Sequence, residues 1–294
     1  MNRIWVRASL LGLAAVGVVA GLTAYFSSQD VPPCLVSGAP EWHAPTSGTR
    51  HFLVVFPDRA ACFFSMDDKQ KLVGALRLSD AKGIALAAPL LDDIALRTQA
   101  GVFRLNPRTG RVRRGGLAPF PSDIVNVVDS RRQLMYVTRR GFLGFRVIDM
   151  RTASSLYDVT FKGFTWNPKF GPNPPSHGLS LSPAGSELWV LDAPNNTVHV
   201  FDVGPLPEQP PRQIENIRLS KPISGDERPC SGDCARLGWL QHSSDGRYVY
   251  VGDSGDVIST ETDEVVGNLE ALHNSRVALE LVLSDGKASY PPRG

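Results

Sequence analysis

Short runs of β-forming residues, each bounded by turn residues, recur along the chain from about residue 50 onward. Each unit has a turn, a Val- or Tyr-containing run, a second turn and then further β-forming runs. The two clearest units occupy residues 182–202 and 243–269, and fainter copies occupy residues 94–112 and 134–161. A short β unit that repeats predicts an all-β architecture in which similar sheets stack on one another.

The two clear units also match in their details. Ser182–Gly185 and Ser243–Gly246 are the first turns, and Leu188–Leu191 and Tyr248–Val251 are the strands that follow them. These residues resemble the YVTN-type β-propeller repeat, a WD40/YVTN-like pattern with a Ser-Pro-Asp-Gly turn, a Tyr-Val pair, an Asn-rich hairpin and a Val-x-Val-Ile-Asp strand. The resemblance covers about residues 51–283 and implies a propeller fold, although the earlier copies depart from the turn pattern.

The number of strand candidates sets the number of blades. Residues 51–78 contain three, each of the next four units contains four, and residues 277–283 contain one. A four-stranded sheet cannot cover both of its faces alone, but sheets placed radially around an axis cover one another. We therefore predict a β-propeller of five four-stranded blades, in which the last strand completes the first blade. Six blades are the alternative if residues 40–49 or the C-terminal tail add strands.

The N-terminus has the pattern of an export segment. Arg3 and Arg7 precede a stretch of nineteen uncharged residues, 8–26, and no acidic residue lies before it. Such a stretch is typical of a cleaved signal peptide or of a transmembrane signal anchor, and both readings stay open. We expect residues 1–29 to be this hydrophobic helix, residues 30–50 a linker and residues 51–294 the propeller. Both readings place the propeller outside the cytoplasm, in a periplasmic or extracellular location.

Four cysteines in an exported chain suggest disulfide bonds. Cys230 and Cys234 are the pair that we expect, because the intervening Ser-Gly-Asp is flexible and lies in a Pro-rich loop. For Cys62, a buried thiol and a bridge to Cys34 are both open. A zinc site is disfavoured because His242 is the only histidine near the close pair.

The first strand of each propeller blade lines the central channel, so the residue at its start faces the opening where ligands usually bind. Aligning the units gives a ring of candidate ligand-binding residues, with His242 as a further candidate on an inner strand. The ring consists of Lys82, Asp123, His177, Arg236 and Arg276. Its cations favour an anion such as a carboxylate, a phosphate or a sugar acid. An alignment shift of one or two residues would dissolve the ring.

Charge is unevenly distributed along the chain. Residues 104–146 contain ten arginines and only Asp123 and Asp129 as acids, whereas residues 245–294 contain nine acids and four bases. One side of the molecule could therefore rest on anionic lipid or on an acidic polymer. The alternative is that successive hairpin turns distribute the arginines over both faces.

No catalytic motif, cofactor site or metal site is predicted. The chain has no phosphate-binding loop and no His-Glu-x-x-His pair, and Gly252–Asp256 fits a hairpin turn better than a serine-nucleophile loop. The formal charge of +2 gives no reason to expect nucleic acid. The sequence favours a monomeric, membrane-tethered binding module for a small anionic ligand or a protein partner, rather than an enzyme. The alternatives are a propeller enzyme, either a lactonase-like hydrolase or a redox-enzyme subunit, and a structural envelope component.

Overall fold

The computed structural model describes residues 49–55, 60–65, 71–77, 86–90, 93–98, 101–114, 126–167, 174–226, 235–275, 277–284 and 287–289. In these ranges it contains twenty-one β-strands and one short 3₁₀ helix, Glu270–Leu272. No helix in these ranges is long and apolar enough to span a membrane. The hydrophobic segment 8–26 and residues 30–48 of the predicted linker 30–50 lie outside the described residues, and residues 49 and 50 belong to the first strand.

The strands form five antiparallel sheets, which we number as blades. Blade 1 contains β1 (Thr49–Val55), β2 (Ala60–Ser65), β3 (Leu72–Arg77), β20 (Val277–Ser284) and β21 (Lys287–Ser289). Blade 2 contains β4 (Leu86–Leu90), β5 (Asp93–Thr98), β6 (Gly101–Leu105) and β7 (Val112–Arg114). Blade 3 contains β8 (Asn126–Asp129), β9 (Leu134–Val137), β10 (Gly144–Asp149) and β11 (Ser154–Thr160). Blade 4 contains β12 (Leu179–Leu181), β13 (Glu187–Asp192), β14 (Thr197–Asp202) and β15 (Arg212–Arg218). Blade 5 contains β16 (Leu240–His242), β17 (Tyr248–Val251), β18 (Asp256–Ser259) and β19 (Glu264–Asn268).

The ends of the propeller domain meet in blade 1. β20 pairs with β1 in antiparallel register, from Val55 opposite Val277 to Thr49 opposite Leu283. This confirms the prediction of five blades with the last strand completing the first. The predicted total of twenty strands was wrong by one, because β21 folds back on β20. The two residues that join these strands are Asp-Gly, a dipeptide typical of tight hairpins.

The repeated turns place each second strand beside its first strand. In blade 4 the Gly185 N–H donates to the Ser182 carbonyl oxygen at 2.8 Å, and the Glu187 N–H donates to Ser182 Oγ at 3.0 Å. In blade 5 the Gly246 N–H donates to the Ser243 carbonyl oxygen at 3.0 Å. Gly185 and Gly246 have φ values of +77° and +73°, which glycine adopts without steric cost.

The core lies between the blades. Phe145 of blade 3 meets Phe201 of blade 4 edge to face, with ring centroids 4.9 Å apart. Phe52 of blade 1 meets Tyr250 of blade 5 in the same way at 4.8 Å. Between blades 4 and 5, buried aliphatic side chains from both sheets form one cluster that includes Leu191. Side chains thus fill the interfaces between blades 3 and 4, blades 4 and 5, and blades 5 and 1, as the radial arrangement requires.

Candidate ligand site at the crossover face

The propeller has two faces. The hairpin face carries the turns between the first and second and between the third and fourth strands of each blade. The crossover face carries the turns between the second and third strands and the segments that cross to the next blade. On this face the Leu219 N–H donates to the Asn196 carbonyl oxygen at 2.9 Å, and the Asp253 N–H donates to that of Leu272 at 3.0 Å. These bonds join the crossings into blades 5 and 1 to a turn of the preceding blade.

His177 lies on the crossover face, immediately before the inner strand of blade 4. Its Nδ1 is 2.8 Å from the carbonyl oxygen of Gly238 in the segment that leads into blade 5. A carbonyl oxygen only accepts, so Nδ1 carries the proton. Burial lowers the pKa of His177 below its ordinary value, more than this hydrogen bond raises it. Burial and this single hydrogen bond therefore favour the neutral imidazole of His177.

Only glycine fits at position 238. Its φ is +67°, and a Cβ atom would lie 2.4 Å from Leu191 Cδ2 and 2.8 Å from Ile223 Cδ1. The Gly238 N–H donates to Asp253 Oδ2 at 3.1 Å. The segment before blade 5 is therefore held at both its amide and its carbonyl, which fixes the path of the residues just before it.

Arg236 lies two residues before Gly238. Its N–H donates to the Gly225 carbonyl oxygen at 3.0 Å, and the neighbouring Ala235 forms a β-bridge with Asp226. The half-buried guanidinium reaches Asn274 Oδ1 with Nη2 at 3.5 Å, a long hydrogen bond. Its buried Nε has no hydrogen-bond partner among the described residues. The backbone of this cation is fixed, but most of its donors are not used by the described part of the chain.

Lys221 is a second cation on a neighbouring crossing, and His273 is a titratable group on which both Lys221 and Arg236 act. Lys221 is exposed on the crossing from blade 4 to blade 5, and His273 is half-buried on the crossing from blade 5 to blade 1. The pKa of His273 is lowered first by burial, and then by the charges of Lys221 and Arg236, against the opposing effect of Glu270. Lys221 and Arg236 are thus the two cations that act on His273, and Glu270 is the acid that opposes them.

His242, the sixth candidate, is the last residue of the inner strand of blade 5 and only 7% exposed. Its Nδ1 is 2.8 Å from Ser180 Oγ of blade 4, and its N–H donates to the same oxygen at 2.9 Å. Burial lowers the pKa of His242 to about 3. His177 extends from blade 4 to the segment before blade 5, and His242 extends from blade 5 to blade 4. The two histidines therefore form two separate links across the same blade interface.

The strand registers differ from the alignment that gave the ring. Leu179 is opposite Val190 in blade 4 and Leu240 is opposite Val251 in blade 5, so Gly238 is the structural equivalent of His177. Arg236 lies two residues earlier. Lys82, Asp123 and Arg276 lie outside the described residues, as do Cys230 and Cys234. Their proposed roles therefore stay predictions.

Cys62 is fully buried in β2, and it is not a free thiol. Any partner in the N-terminal linker lies outside the described residues. Among the described residues there is no cluster of three or more His, Cys, Asp or Glu side chains that could hold a metal ion.

The arginine-rich segment is distributed over both faces. Arg131 and Arg132 follow β8 on the hairpin face, where Arg132 Nη1 is 2.6 Å from Asp129 Oδ2. Arg139 lies in the turn after β9 on the crossover face, with its guanidinium 4.3 Å above the Phe142 ring. The described arginines thus follow the alternative in which successive turns scatter the charge.

Several of these arginines also bind acids within their own blade. Arg146 forms two bonds of 2.7 Å to Asp158, and these bonds are the main reason why the pKa of Asp158 is low. Arg104 and Arg113 contact buried Asp93 at 2.9 and 2.8 Å. A fork between guanidinium and carboxylate leaves little charge for a distant partner.

Sequence reasoning missed Lys221, His273 and Asn274. They lie in crossing segments, which have no strand periodicity by which equivalent positions could be aligned. One signal in the sequence was available for a role at this face: Lys221 follows a predicted outer strand, and His273 and Asn274 precede a predicted inner strand.

No family model matches the chain, and a search of curated proteins finds no match. Hydrazine synthase of Kuenenia stuttgartiensis is similar over 65% of this chain and 49% of its own, with 18% identity and a TM-score of 0.37. A chain of the nidogen/laminin complex is similar over 80% of this chain and 99% of its own, with 12% identity and a TM-score of 0.44. The β-propeller domain of Myceliophteria thermophila Cps50 is similar over 75% of this chain and 69% of its own, with 13% identity and a TM-score of 0.35. The chain spans about half the length of the hydrazine synthase chain. Because these TM-scores are low, the fold assignment rests on the strand order and register described above.

Proposed function

We propose that the protein is an exported binding module whose crossover face holds an oxyanion, either of a small ligand or of an acidic protein partner. The observation that carries the proposal is Arg236, a half-buried guanidinium on a fixed backbone with one long hydrogen bond among the described residues. Such a fork suits carboxylate or phosphate oxygens. Lys82 and Arg276, from the predicted ring, would add charge at the same face.

The export part of the proposal rests on the sequence. Arg3, Arg7 and the uncharged residues 8–26 fit a signal peptide or a membrane anchor, which would place the propeller in the periplasm or outside the cell. The loop between Asp226 and Ala235 is closed at its base by their β-bridge. This closure supports the predicted disulfide between Cys230 and Cys234, which lie between the two bridged residues. The repeat units of the proposed module are of the YVTN type.

The test compares two triple variants of the full chain that remove the same charge, one from the predicted ring and one from the hairpin face. One carries Lys82→Gln, Arg236→Gln and Arg276→Gln, and the other carries Arg108→Gln, Arg131→Gln and Arg247→Gln on the hairpin face. The probe is a fluorescent polyglutamate peptide, followed by anisotropy at low and high salt. We expect the first triple variant to weaken binding by about 10-fold or more and the second to leave it nearly unchanged. Equal losses in both variants, or binding by neither variant nor wild type, would overturn the proposal.

A further inference from the structure

Arg236 is held in place by its backbone and not by its side chain. Its own N–H binds the Gly225 carbonyl oxygen, and Gly238, two residues later, is bound through both amide and carbonyl. A guanidinium has five N–H donors and stays charged at any physiological pH. In the described structure one of those donors reaches one oxygen, at 3.5 Å, and the buried Nε reaches none.

A half-buried cation without an acidic partner is unusual, because desolvation is costly unless hydrogen bonds or an opposite charge offset it. The other buried or half-buried arginines of the described chain show the ordinary solution. Arg146 has Asp158, and Arg132 has Asp129 together with the Gly185 carbonyl oxygen. Arg236 departs from this pattern at a point where Lys221 and Asn274 lie on the neighbouring crossings.

We propose that Arg236, Lys221 and Asn274 form a binding site for a planar or tetrahedral oxyanion, a carboxylate or a phosphate, between the crossings into blades 5 and 1. This inference rests on the proposed function, because it places the site of that function at one arginine. Arg236 supplies two parallel N–H donors, Lys221 supplies a mobile charge and Asn274 orients the guanidinium. The site needs a negative group with at least two oxygens, which excludes chloride as a good substitute.

The experiment measures the stabilisation of the full chain by inorganic phosphate and, separately, by acetate. Both are titrated calorimetrically and by thermal unfolding at constant ionic strength, with chloride as the reference anion. A ligand that binds only the folded state raises the unfolding temperature with its concentration. We expect phosphate or acetate to do so where chloride does not, and the stronger of the two identifies the oxyanion.

Three variants locate the site. Arg236→Gln should weaken oxyanion binding about 10-fold or more, and Arg236→Lys should weaken it by nearly as much, because a lysine keeps the charge but loses the fork. Lys221→Gln should cause a smaller loss. Arg247→Gln is the matched control, because Arg247 is exposed on the hairpin face and is bound to Asp245 at 3.2 Å. That variant should bind like wild type.

His273 gives a second measurement that does not depend on stability. Lys221, Arg236 and Glu270 are the charged groups that act on it, and Asn268 Oδ1 accepts from its Nε2 at 2.8 Å. An anion beside the two cations should raise the pKa of His273, which a histidine-labelled NMR titration follows. The rise should be absent in Arg236→Gln.

The outcomes separate this site from the proposed function. If phosphate and acetate bind equally well to wild type and Arg236→Gln, the site is wrong, although polyglutamate capture by the crossover face would still stand. If the two triple variants lose polyglutamate binding equally, while phosphate binding still depends on Arg236, the proposed function is wrong and the oxyanion site remains. If neither anion binds wild type, the site is wrong outright.

Discussion

Blades 4 and 5 share their strand register but exchange a large and a small residue at one cross-strand pair. In blade 4 the Leu191 N–H donates to the Gly178 carbonyl oxygen, and in blade 5 the Gly252 N–H donates to that of Trp239, both at 2.9 Å. A Cβ on Gly252 would lie 2.0 Å from Trp239 Nε1, whereas a Cβ on Gly178 would lie 3.0 Å from Leu191 Cβ. Each pair has room for only one large side chain, and the two blades place that side chain on different strands of the pair.

The same two blades differ at a buried polar position. In blade 4, His199 on β14 lies between Asp192 Oδ2 at 3.1 Å and Asn216 Oδ1 at 2.6 Å. In blade 5 the equivalent of His199 is Asp256, by the pairing of β18 with β19. Asp256 cannot donate, so it accepts from the Ser220 N–H at 2.8 Å and from Asn268 Nδ2 at 2.9 Å.

This difference reaches the candidate site. Because Asn268 uses its Nδ2 to donate to Asp256, its Oδ1 is left to accept from His273 Nε2. In blade 4 the amide oxygen of Asn216 faces His199 instead. The exchange of one histidine for an aspartate therefore connects the interior of blade 5 to the crossing that carries His273 and Asn274.

The largest effect is expected from the exchanged pair. Trp239→Gly should lower the free energy of unfolding by about 3–5 kcal/mol, because it empties a packed volume and removes the bond from Nε1 to the Ser275 carbonyl oxygen. Gly252→Leu should also destabilise strongly through overlap. The double variant should recover part of the loss, since it reproduces the arrangement of blade 4. Urea unfolding of the four proteins measures the coupling, and strictly additive losses would contradict the volume argument.

A smaller loss is expected at the polar position. Asp256→Asn replaces one accepting oxygen by a donating amide NH₂ group that faces donors from Ser220 or Asn268, which should cost about 1–3 kcal/mol. The matched variant is Asp245→Asn on the hairpin face, where the carboxylate is more exposed and the loss should be smaller. Equal losses in the two urea titrations would contradict the assignment of Asp256 as a buried acceptor.

The inner strands give a pH-dependent difference, because His242 in blade 5 replaces Leu181 in blade 4. The folded state keeps His242 neutral down to a pKa of about 3, whereas the unfolded chain takes up the proton near pH 6.5. Between these values the unfolded state binds more protons, so stability falls as the pH falls, by at most about 1.4 kcal/mol per pH unit.

His242→Leu should remove this part of the slope. The stability of the variant and of the wild type is measured by urea unfolding at several pH values between 4 and 6.5. The slope of stability against pH should be smaller in the variant. It should not vanish, because burial also lowers the pKa of His177. Identical slopes in the two proteins would show that His242 does not titrate as its burial requires.

The smallest effect is expected at the repeated turns. Gly185→Ala and Gly246→Ala each place a side chain at positive φ, at a cost of about 1–2 kcal/mol. The added Cβ would lie 3.6 Å from Arg132 Nη1 in the first variant and 3.3 Å from Pro183 Cγ in the second. Thermal unfolding should therefore rank the Gly246 variant equal to or slightly below the Gly185 variant. The reverse order, by a clear margin, would show that the turns are not equivalent.

Much of the fold could be predicted because strand spacing and turn chemistry are local. The turns at Ser182 and Ser243 and the hairpins of the five sheets follow from runs of residues that interact with near neighbours in the sequence. The closing strand at Val277 pairs with β1 at the other end of the domain, and the strand count predicted it instead. β21 was missed although Asp-Gly lies before it, since a three-residue strand has too few residues to show alternation.

The candidate site was harder to predict. The sequence alignment set Arg236 equivalent to His177, but the strand pairings make Gly238 the equivalent residue, so Arg236 lies two residues before the predicted position. The proximity of Lys221 and His273 to Arg236 arises from two crossings that are distant in sequence. Burial lowers the pKa of both His177 and His242, and the sequence alone does not show how deeply either side chain is buried.

The most direct test of the oxyanion site is a crystal structure of the full chain grown with saturating phosphate. We predict phosphate oxygens at hydrogen-bond distance, about 2.7–3.2 Å, from the Arg236 guanidinium, with Lys221 turned toward them and no anion at Arg247. A structure in which the Arg236 guanidinium forms a fork with a carboxylate of its own chain, and no anion lies on the crossover face, would contradict the account.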